Sequence, residues 1–463
     1  MSNYVLIDTI IFIISNIILA IYFFNNKKLN IKEKIVYTIF FIVLNSSYNI
    51  MFVNIHQYNK VIARTAIWKA KFIGFLTIPD IICIIILFFN LKTLLTSILK
   101  NKILRIFAMR DIVLYILGMF SFLWMSGYWM DNGRTFMTTS KCWIYTLSTI
   151  ILTFKYMKKN INLIYPISII LINGWISTLF VPAGYLWIRY GHRVSIIDQE
   201  DACTLSLVVL IFFFIKCFYV KEKNGSKQMI NFILLIAFSI QNIYCLYKTN
   251  LIIIPLMIVV YIIITKGRNQ IIILASFFGL PMMFVALSDK IWSIATSLAI
   301  KTRMGQLTDY LDYIENKGIF PKIFGLGIGT PYYAPTDTGD TGEIKNIDAM
   351  KLGNYKFNLQ TQIISIYKDS GLVGLVYFIV LTIYLIFIMQ YALKSIVSKK
   401  NINNYIKAET MALGIFVLVK MIFEPVLFGG TIPVYLFTTF CLCRFIINCE
   451  QIKENRFNEN FNN

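Results

Sequence analysis

A chain of 463 residues is long enough for two or three soluble domains, yet 57% of it is hydrophobic and only 14% charged. A soluble domain carries roughly 25% charged residues, so this composition argues against one. The formal net charge of +21 raises nucleic acid as a partner. The lysines and arginines nevertheless fall in short clusters between apolar stretches, not on one face or tail, so no nucleic-acid partner is expected.

Stretches such as Val5–Phe24 and Ile271–Leu287 run about 17–20 residues with few or no charges, enough to cross a hydrocarbon core of about 30 Å. In lipid every backbone amide must be satisfied within the segment, so such stretches are helices. Alternating strands of roughly ten residues, which a membrane barrel needs, are not visible. In chain order the predicted spans are 4–24, 35–53, 72–91, 111–129, 142–154, 161–181, 203–220, 229–247, 250–265, 271–288, 367–390, 408–428 and 431–447. The expected fold is all-α: a polytopic transmembrane helix bundle of about 13 spans, with one large extracytoplasmic loop containing short amphipathic helices. Residues 1–288 hold the first ten spans and a smaller outer loop at 182–202. Residues 289–366 form the large loop, 367–447 the last three spans, and 448–463 a cytoplasmic tail.

Orientation follows from the basic connections. Lys27, Lys28, Lys32 and Lys34 lie between the first two spans, Lys100, Lys102 and Arg105 between the third and fourth, and Lys155, Lys158 and Lys159 after the fifth. With 221–228, 266–270, 391–407 and the tail, they share one side if the N-terminus is outside. Segment 54–71, with Lys60, Arg64, Lys69 and Lys71, dissents; it is an interfacial helix or marks a miscounted span. The first span is too long for a signal-peptide core and no small-x-small cleavage site follows it. No metal is expected, because the eight cysteines form no CxxC pair and the two histidines, His56 and His192, stand far apart. Cys142 and Cys203 near span ends read as free thiols. Richness in Ile, Asn, Lys, Phe and Tyr suggests a low-GC bacterial genome.

The large loop carries eight basic and eight acidic residues. Its Met304, Leu307, Leu311 and Ile314 recur at helical spacing, with Asp309, Asp312 and Glu315 opposite, which predicts an amphipathic helix lying on the outer membrane surface. Gly325-Leu-Gly-Ile-Gly329 reads as a turn, not a nucleotide fingerprint, since no strand precedes it. Outer cations run against the positive-inside bias and so need a reason. Arg189, Arg193 and Arg303 lie just beyond predicted span ends, and Lys248 occupies a tight turn. Guanidinium groups match phosphate oxygens in bidentate geometry, so converging cations suit a lipid-linked diphosphate; contact with phospholipid or with Asp198, Glu200 or Asp201 is the plainer alternative. Within predicted spans, Lys420 and Glu424 share a helix face, and Asp80 reads as a lone carboxylate. Such groups keep a transporter in view.

The pattern resembles the O-antigen polymerase and ligase superfamily. Arg193-Val-Ser-Ile-Ile-Asp-Gln-Glu-Asp-Ala202 is similar to that family's arginine segment, and Lys248-Thr-Asn250 to its Ser-Arg pair. Arg303 sits early in the large loop. Gly325–Gly329, Phe357-Asn358-Leu359 and Asp369-Ser-Gly-Leu-Val-Gly374 resemble a GxGxG, HNxxL, ExGxxG ending. The chain departs from the family in having Phe357 at the HN histidine, Lys248 for an arginine, and no histidine in the loop. That last absence favours a polymerase of the Wzy type over a ligase.

The resemblance implies a metal-independent glycosyltransferase, without cofactors, in the bacterial inner membrane. It would transfer a growing glycan from undecaprenyl diphosphate to an incoming lipid-linked repeat unit at the outer face. Implied partners are the lipid-linked oligosaccharide donor and acceptor, the bilayer and a chain-length regulator protein. Arg303 and Arg193 would be catalytic, with Arg189, Lys248, Asn358 and Lys301 binding substrate. Asp309, Asp312, Glu200 and His192 are unranked candidates for a general base. A ligase-type transferase and a flippase or other transporter are the alternatives, the latter disfavoured by the long outer loop and the lack of an internal repeat.

Overall fold

The structure, a computed structural model, describes residues 2–47, 71–73, 76–124, 129–179, 199–220, 224–244, 304–328, 330–335, 355–356, 359, 362–399, 402–423 and 432–461. These residues are mostly helical and form 13 helices. In chain order they are α1 (Ser2–Phe24), α2 (Ile31–Ser47), α3 (Ile78–Lys100), α4 (Lys102–Trp124), α5 (Trp129–Tyr156), α6 (Ile164–Leu179), α7 (Gln199–Phe218) and α8 (Gly225–Tyr244). Then follow α9 (304–315), α10 (Ile319–Phe324), α11 (Gln362–Ser398), α12 (Asn404–Phe423) and α13 (Ile432–Phe461). Two antiparallel hairpins complete the fold. One pairs β1 (Lys71–Ile73) with β2 (Leu76–Thr77); the other pairs β3 (Tyr332–Tyr333) with β4 (Tyr355–Lys356).

Two of these helices are long and apolar enough to cross a membrane by length and composition: Ile78–Lys100 and Ile363–Ser398. Their apolar side chains are largely turned outward. On α11 the exposed stripe Leu372, Val376, Val380, Ile383, Phe387 and Tyr391 extends about 28 Å at 1.5 Å per residue. On α3 a similar stripe from Ile78 to Leu99 extends about 32 Å. By contrast α7, α12 and α13 are buried nearly all round between Leu205 and Ile215, Ala408 and Met421, and Tyr435 and Ile447. They form the centre of the bundle, with α11 against α4 and α12, and α5 against α3 and α13.

One end of the bundle is built from short polar turns with a common chemistry. Each of the helices α2, α4, α6, α8 and α12 begins there behind an asparagine whose side-chain oxygen accepts a first-turn amide: Asn30 from Glu33, Asn101 from Leu104, Asn162 from Tyr165, Asn224 from Ser226 and Asn403 from Tyr405. Asparagine is among the best caps because it satisfies an amide that has no partner within the helix. Glu33 returns the favour by accepting the Asn30 amide at 2.9 Å, closing a reciprocal box.

Long-range bonds then tie these turns together. Asn101 Nδ2 donates to Glu450 at 2.8 Å, Gln451 to the Lys158 carbonyl at 2.9 Å, and Tyr22 to the Asn162 carbonyl at 2.7 Å. Lys399 reaches the Ile452 carbonyl at 3.0 Å, and Tyr219 that of Val397 at 3.1 Å. The basic connections around Lys27, Lys100, Lys158 and Lys399 are therefore gathered at a single end. Just inside it, Arg444 stands 3.7 Å from Glu409, both fully buried, and donates to the carbonyls of Met157 at 2.8 Å and Lys159 at 3.2 Å.

Several boundaries differ from the sequence reading. α5 is a helix of 28 residues from Trp129, where the apolar run alone predicts only 142–154. Its first half is polar, which a hydropathy reading leaves out. α7 begins at Gln199, inside the predicted outer loop 182–202, and α11 at Gln362, ahead of residue 367. α13 continues through the predicted tail as far as Phe461. Of the dissenting segment 54–71 only Lys71 is described, as the first residue of β1; the rest of it and the predicted spans 250–265 and 271–288 lie outside the described residues.

Candidate functional site

The opposite end of the bundle is closed by contacts between residues distant in sequence, and these centre on the glycine turn. α11 is interrupted at Gly371, whose φ of 64° and ψ of −165° are not helical. An interrupted helix leaves carbonyls without their usual amides four residues on. The amide of Leu326 takes the Lys368 carbonyl at 2.6 Å and that of Gly327 takes the Asp369 carbonyl at 3.1 Å. The Ile328 amide bonds the Gly118 carbonyl of α4 at 3.1 Å, and the Ser121 hydroxyl of α4 donates to the Phe324 carbonyl. Gly325 and Gly327 both have positive φ, 81° and 95°, the region that glycine adopts without steric cost. A Cβ on Gly325 would also lie 2.6 Å from the Ser370 and Gly371 amides. Glycine is thus required twice at this approach, once for its dihedral and once for its lack of bulk.

Polar groups are buried around this junction. Lys368, 1% exposed, stands 2.5 Å from the Asp369 carboxylate and donates to the Thr330 carbonyl at 3.2 Å. The Thr330 hydroxyl is buried with no hydrogen-bond partner among the described residues. α9 covers this cluster from outside with Tyr310, which meets the rings of Tyr332 and Tyr367 edge-on at 5.8 and 5.6 Å. Burial, with Tyr367 and Asp369 nearby, pushes the Tyr310 phenol above its ordinary range, so the hydroxyl stays protonated as a donor. Leu326, Ala334 and Leu359 fill in around these rings.

A second cluster lies on α3 and α5. The Asp80 carboxylate accepts Lys141 at 2.5 Å, Tyr145 at 2.7 Å and the Thr77 backbone amide at 2.7 Å. Asp80 is therefore not the lone carboxylate of the sequence reading. It is the reach-back acid of a helix start, Thr77-Ile-Pro-Asp80, a spacing that the sequence displays. Trp143, between Lys141 and Tyr145 on α5, belongs to the apolar group around Ile328 of the glycine turn. The two clusters thus share α5 as a wall.

The residues proposed from sequence as the site itself, Arg189, Arg193, Lys248, Lys301, Arg303 and Asn358, lie outside the described residues, as does His192. Met304, directly after Arg303 in sequence, opens α9, and Leu359, directly after Asn358, packs in the group of Tyr310 and Tyr332. Glu200 falls in the first turn of α7. The helix expected over Met304 to Ile314 is present at 304–315, and its inward face carries polar residues and a tyrosine beside Ile314. Gln306, Asp309, Tyr310 and Ile314 are buried, while Met304 and Leu311 are exposed. The aromatic ring of Tyr310 anchors the helix, and Gln306 and Asp309 are buried with partners. Asp312 is exposed, so of these two candidate bases it alone is open to a substrate. Lys420 is buried in α12; its expected companion Glu424 lies outside the described residues.

Cys142 is a free thiol, as expected. No group of three metal-ligating side chains occurs among the described residues. No family model matches the chain, and no curated protein matches it.

Proposed function

We propose that the chain is a polytopic bacterial inner-membrane protein of about thirteen spans that polymerises undecaprenyl-diphosphate-linked oligosaccharide repeat units at the outer face. The observation that carries the proposal is the junction of Gly325–Ile328 with Lys368–Gly371. The two glycine-bearing stretches on which the resemblance rests stand about forty residues apart, and they are hydrogen bonded to each other. The outward apolar stripes on α3 and α11, each close to the hydrocarbon thickness, support the membrane reading. The grouping of lysine-rich turns at the other end supports an inside face there.

The proposed step is a glycosyl transfer. A hydroxyl oxygen of the incoming repeat attacks the anomeric carbon of the growing chain and loses its proton to a base. The anomeric carbon–oxygen bond breaks, and the electron pair leaves with undecaprenyl diphosphate. Arg303 and Arg193 hold the departing diphosphate, with Arg189, Lys248, Lys301 and Asn358 as further contacts. Fixed cations aimed at developing charge lower the barrier without a metal, and the exposed Asp312 is the favoured base among the described candidates.

Deleting the gene and analysing lipid-linked glycans tests this reading. Single repeats should accumulate at the outer face, and Arg303→Ala or Arg193→Ala should fail to restore polymer. Full-length polymer not joined to its final acceptor would instead indicate a ligase. Repeats trapped inside would indicate a flippase, and normal chain lengths from both variants would sink the assignment.

A further inference from the structure

At the end bearing the asparagine caps, a cavity of about 360 Å³ opens between the α3–α4 turn, the last turns of α11, and α13. Lys100, Lys102, Lys399 and Lys453 line it against a single acid, Glu450. That acid is already engaged by Asn101, and Lys399 is held by the Ile452 carbonyl. Lys100, Lys102 and Lys453 are exposed; Lys102 lies 5.5 Å over the Tyr384 ring, an aromatic contact that leaves its ammonium donors open to an anion. The cavity also abuts the first turn of α4, the positive end of that helix's dipole. Four lysines against one carboxylate leave the mouth with an excess of positive charge, although the last turns of α3 and α11 also border it.

The walls favour more than a small anion. Ile103, Ile388 and Ile396 line the interior. Tyr391 lines it too while remaining 78% exposed, and Phe387 next along α11 is 64% exposed. These residues begin the stripe that runs up α11, so the cavity continues into an apolar track of about 28 Å, more than the roughly 15 Å depth of one leaflet's acyl chains. A free phosphate would use only the lysines. An amphiphile uses both halves.

We propose that this cavity binds an anionic phospholipid of the inner leaflet, its phosphate held by Lys100, Lys102 and Lys453 and its acyl chains laid along α11. Basic pockets between spanning helices on the inner side recognise such headgroups, and lysines near the surface each add to the attraction. The inference rests on the membrane reading above but not on glycan polymerisation.

The test uses the full chain purified in detergent, with bound lipids counted by native mass spectrometry. Phosphatidylglycerol should be retained at least about tenfold better than phosphatidylcholine, and the triple variant K100Q/K102Q/K453Q should erase that preference. Ala392→Trp, which fills the cavity wall without changing charge, should also weaken retention. It keeps the inference testable if the triple variant does not fold. Equal retention of the two lipids, or undiminished phosphatidylglycerol binding in the folded variants, would overturn the proposal. So would displacement of the lipid by millimolar inorganic phosphate, which would mark a free-anion site. Polymer formation is scored separately in cells. A chain that retains phosphatidylglycerol but makes no polymer in the deletion strain contradicts only the glycan reading.

Discussion

The two ends of this bundle are closed by different means. At the lysine-rich end the helices start within a few residues of where their predecessors stop, each behind an asparagine cap, and the long-range bonds merely lace finished turns together. At the other end the closing element is a glycine turn that docks into an interruption of α11 and onto α4. Its amides satisfy carbonyls more than forty positions away in the chain, so it forms only when the helices are already in place. Local closure yields a firm floor; long-range closure yields a surface whose shape depends on several elements at once, as substrate sites built on loops over rigid scaffolds do.

Removing a buried charge from the floor should have the largest effect on stability. Arg444→Ala leaves Glu409 buried without its cation and leaves the Met157 and Lys159 carbonyls with the Tyr37 hydroxyl as their remaining side-chain donor, which should cost about 3–5 kcal/mol. Thermal unfolding in detergent measures this. Replacing both partners by apolar residues, as in Glu409→Leu with Arg444→Met, should recover most of the loss. If the double variant is no better than the single, the pair is more than mutual compensation.

A smaller stability effect, but a larger effect on product, is expected at the other end. Gly371→Ala places a side chain at φ 64° and ψ −165°, a region all but reserved for glycine, costing about 1–3 kcal/mol. The added Cβ also runs into the Ile323 carbonyl and the Gly325 amide, so the turn must shift. Polymer should fall at least about tenfold, a change of about 1.4 kcal/mol in the barrier, while the thermal midpoint moves less than in Arg444→Ala. Unchanged glycan ladders from a folded Gly371→Ala chain would separate the glycine junction from function.

Much of the floor is legible in the sequence, and less of the other end. Clusters such as Lys27-Lys28 and Lys158-Lys159 mark the turns of the lysine-rich end, and the caps Asn30, Asn101, Asn162, Asn224 and Asn403 are readable signals that charge alone overlooks. The Asp80 start was equally available in Thr77-Ile-Pro-Asp80. Its partners Lys141 and Tyr145 were not, because pairing across helices leaves no local spacing. The glycine turn itself is readable, but not that its amides end on Lys368 and Asp369. For α9 the helical period is legible; the burial of Asp309 and Tyr310 is not, because the Tyr310 ring packs against Tyr332 and Tyr367, which no local spacing places beside it. The polar half of α5 escapes any reading that seeks apolar runs.

An outer-face polymerase requires the two ends to face opposite sides of a membrane, with the glycine-turn end outside. Asn316, beyond α9, and Lys28, in the turn between α1 and α2, are both exposed positions for single cysteines. They can be labelled in intact cells with a membrane-impermeant maleimide, scored above the parent chain's own labelling. Asn316→Cys should label at once and Lys28→Cys only after the cells are permeabilised. Labelling of Lys28→Cys in intact cells, with Asn316→Cys protected, would contradict the orientation and the outer-face polymerase built on it.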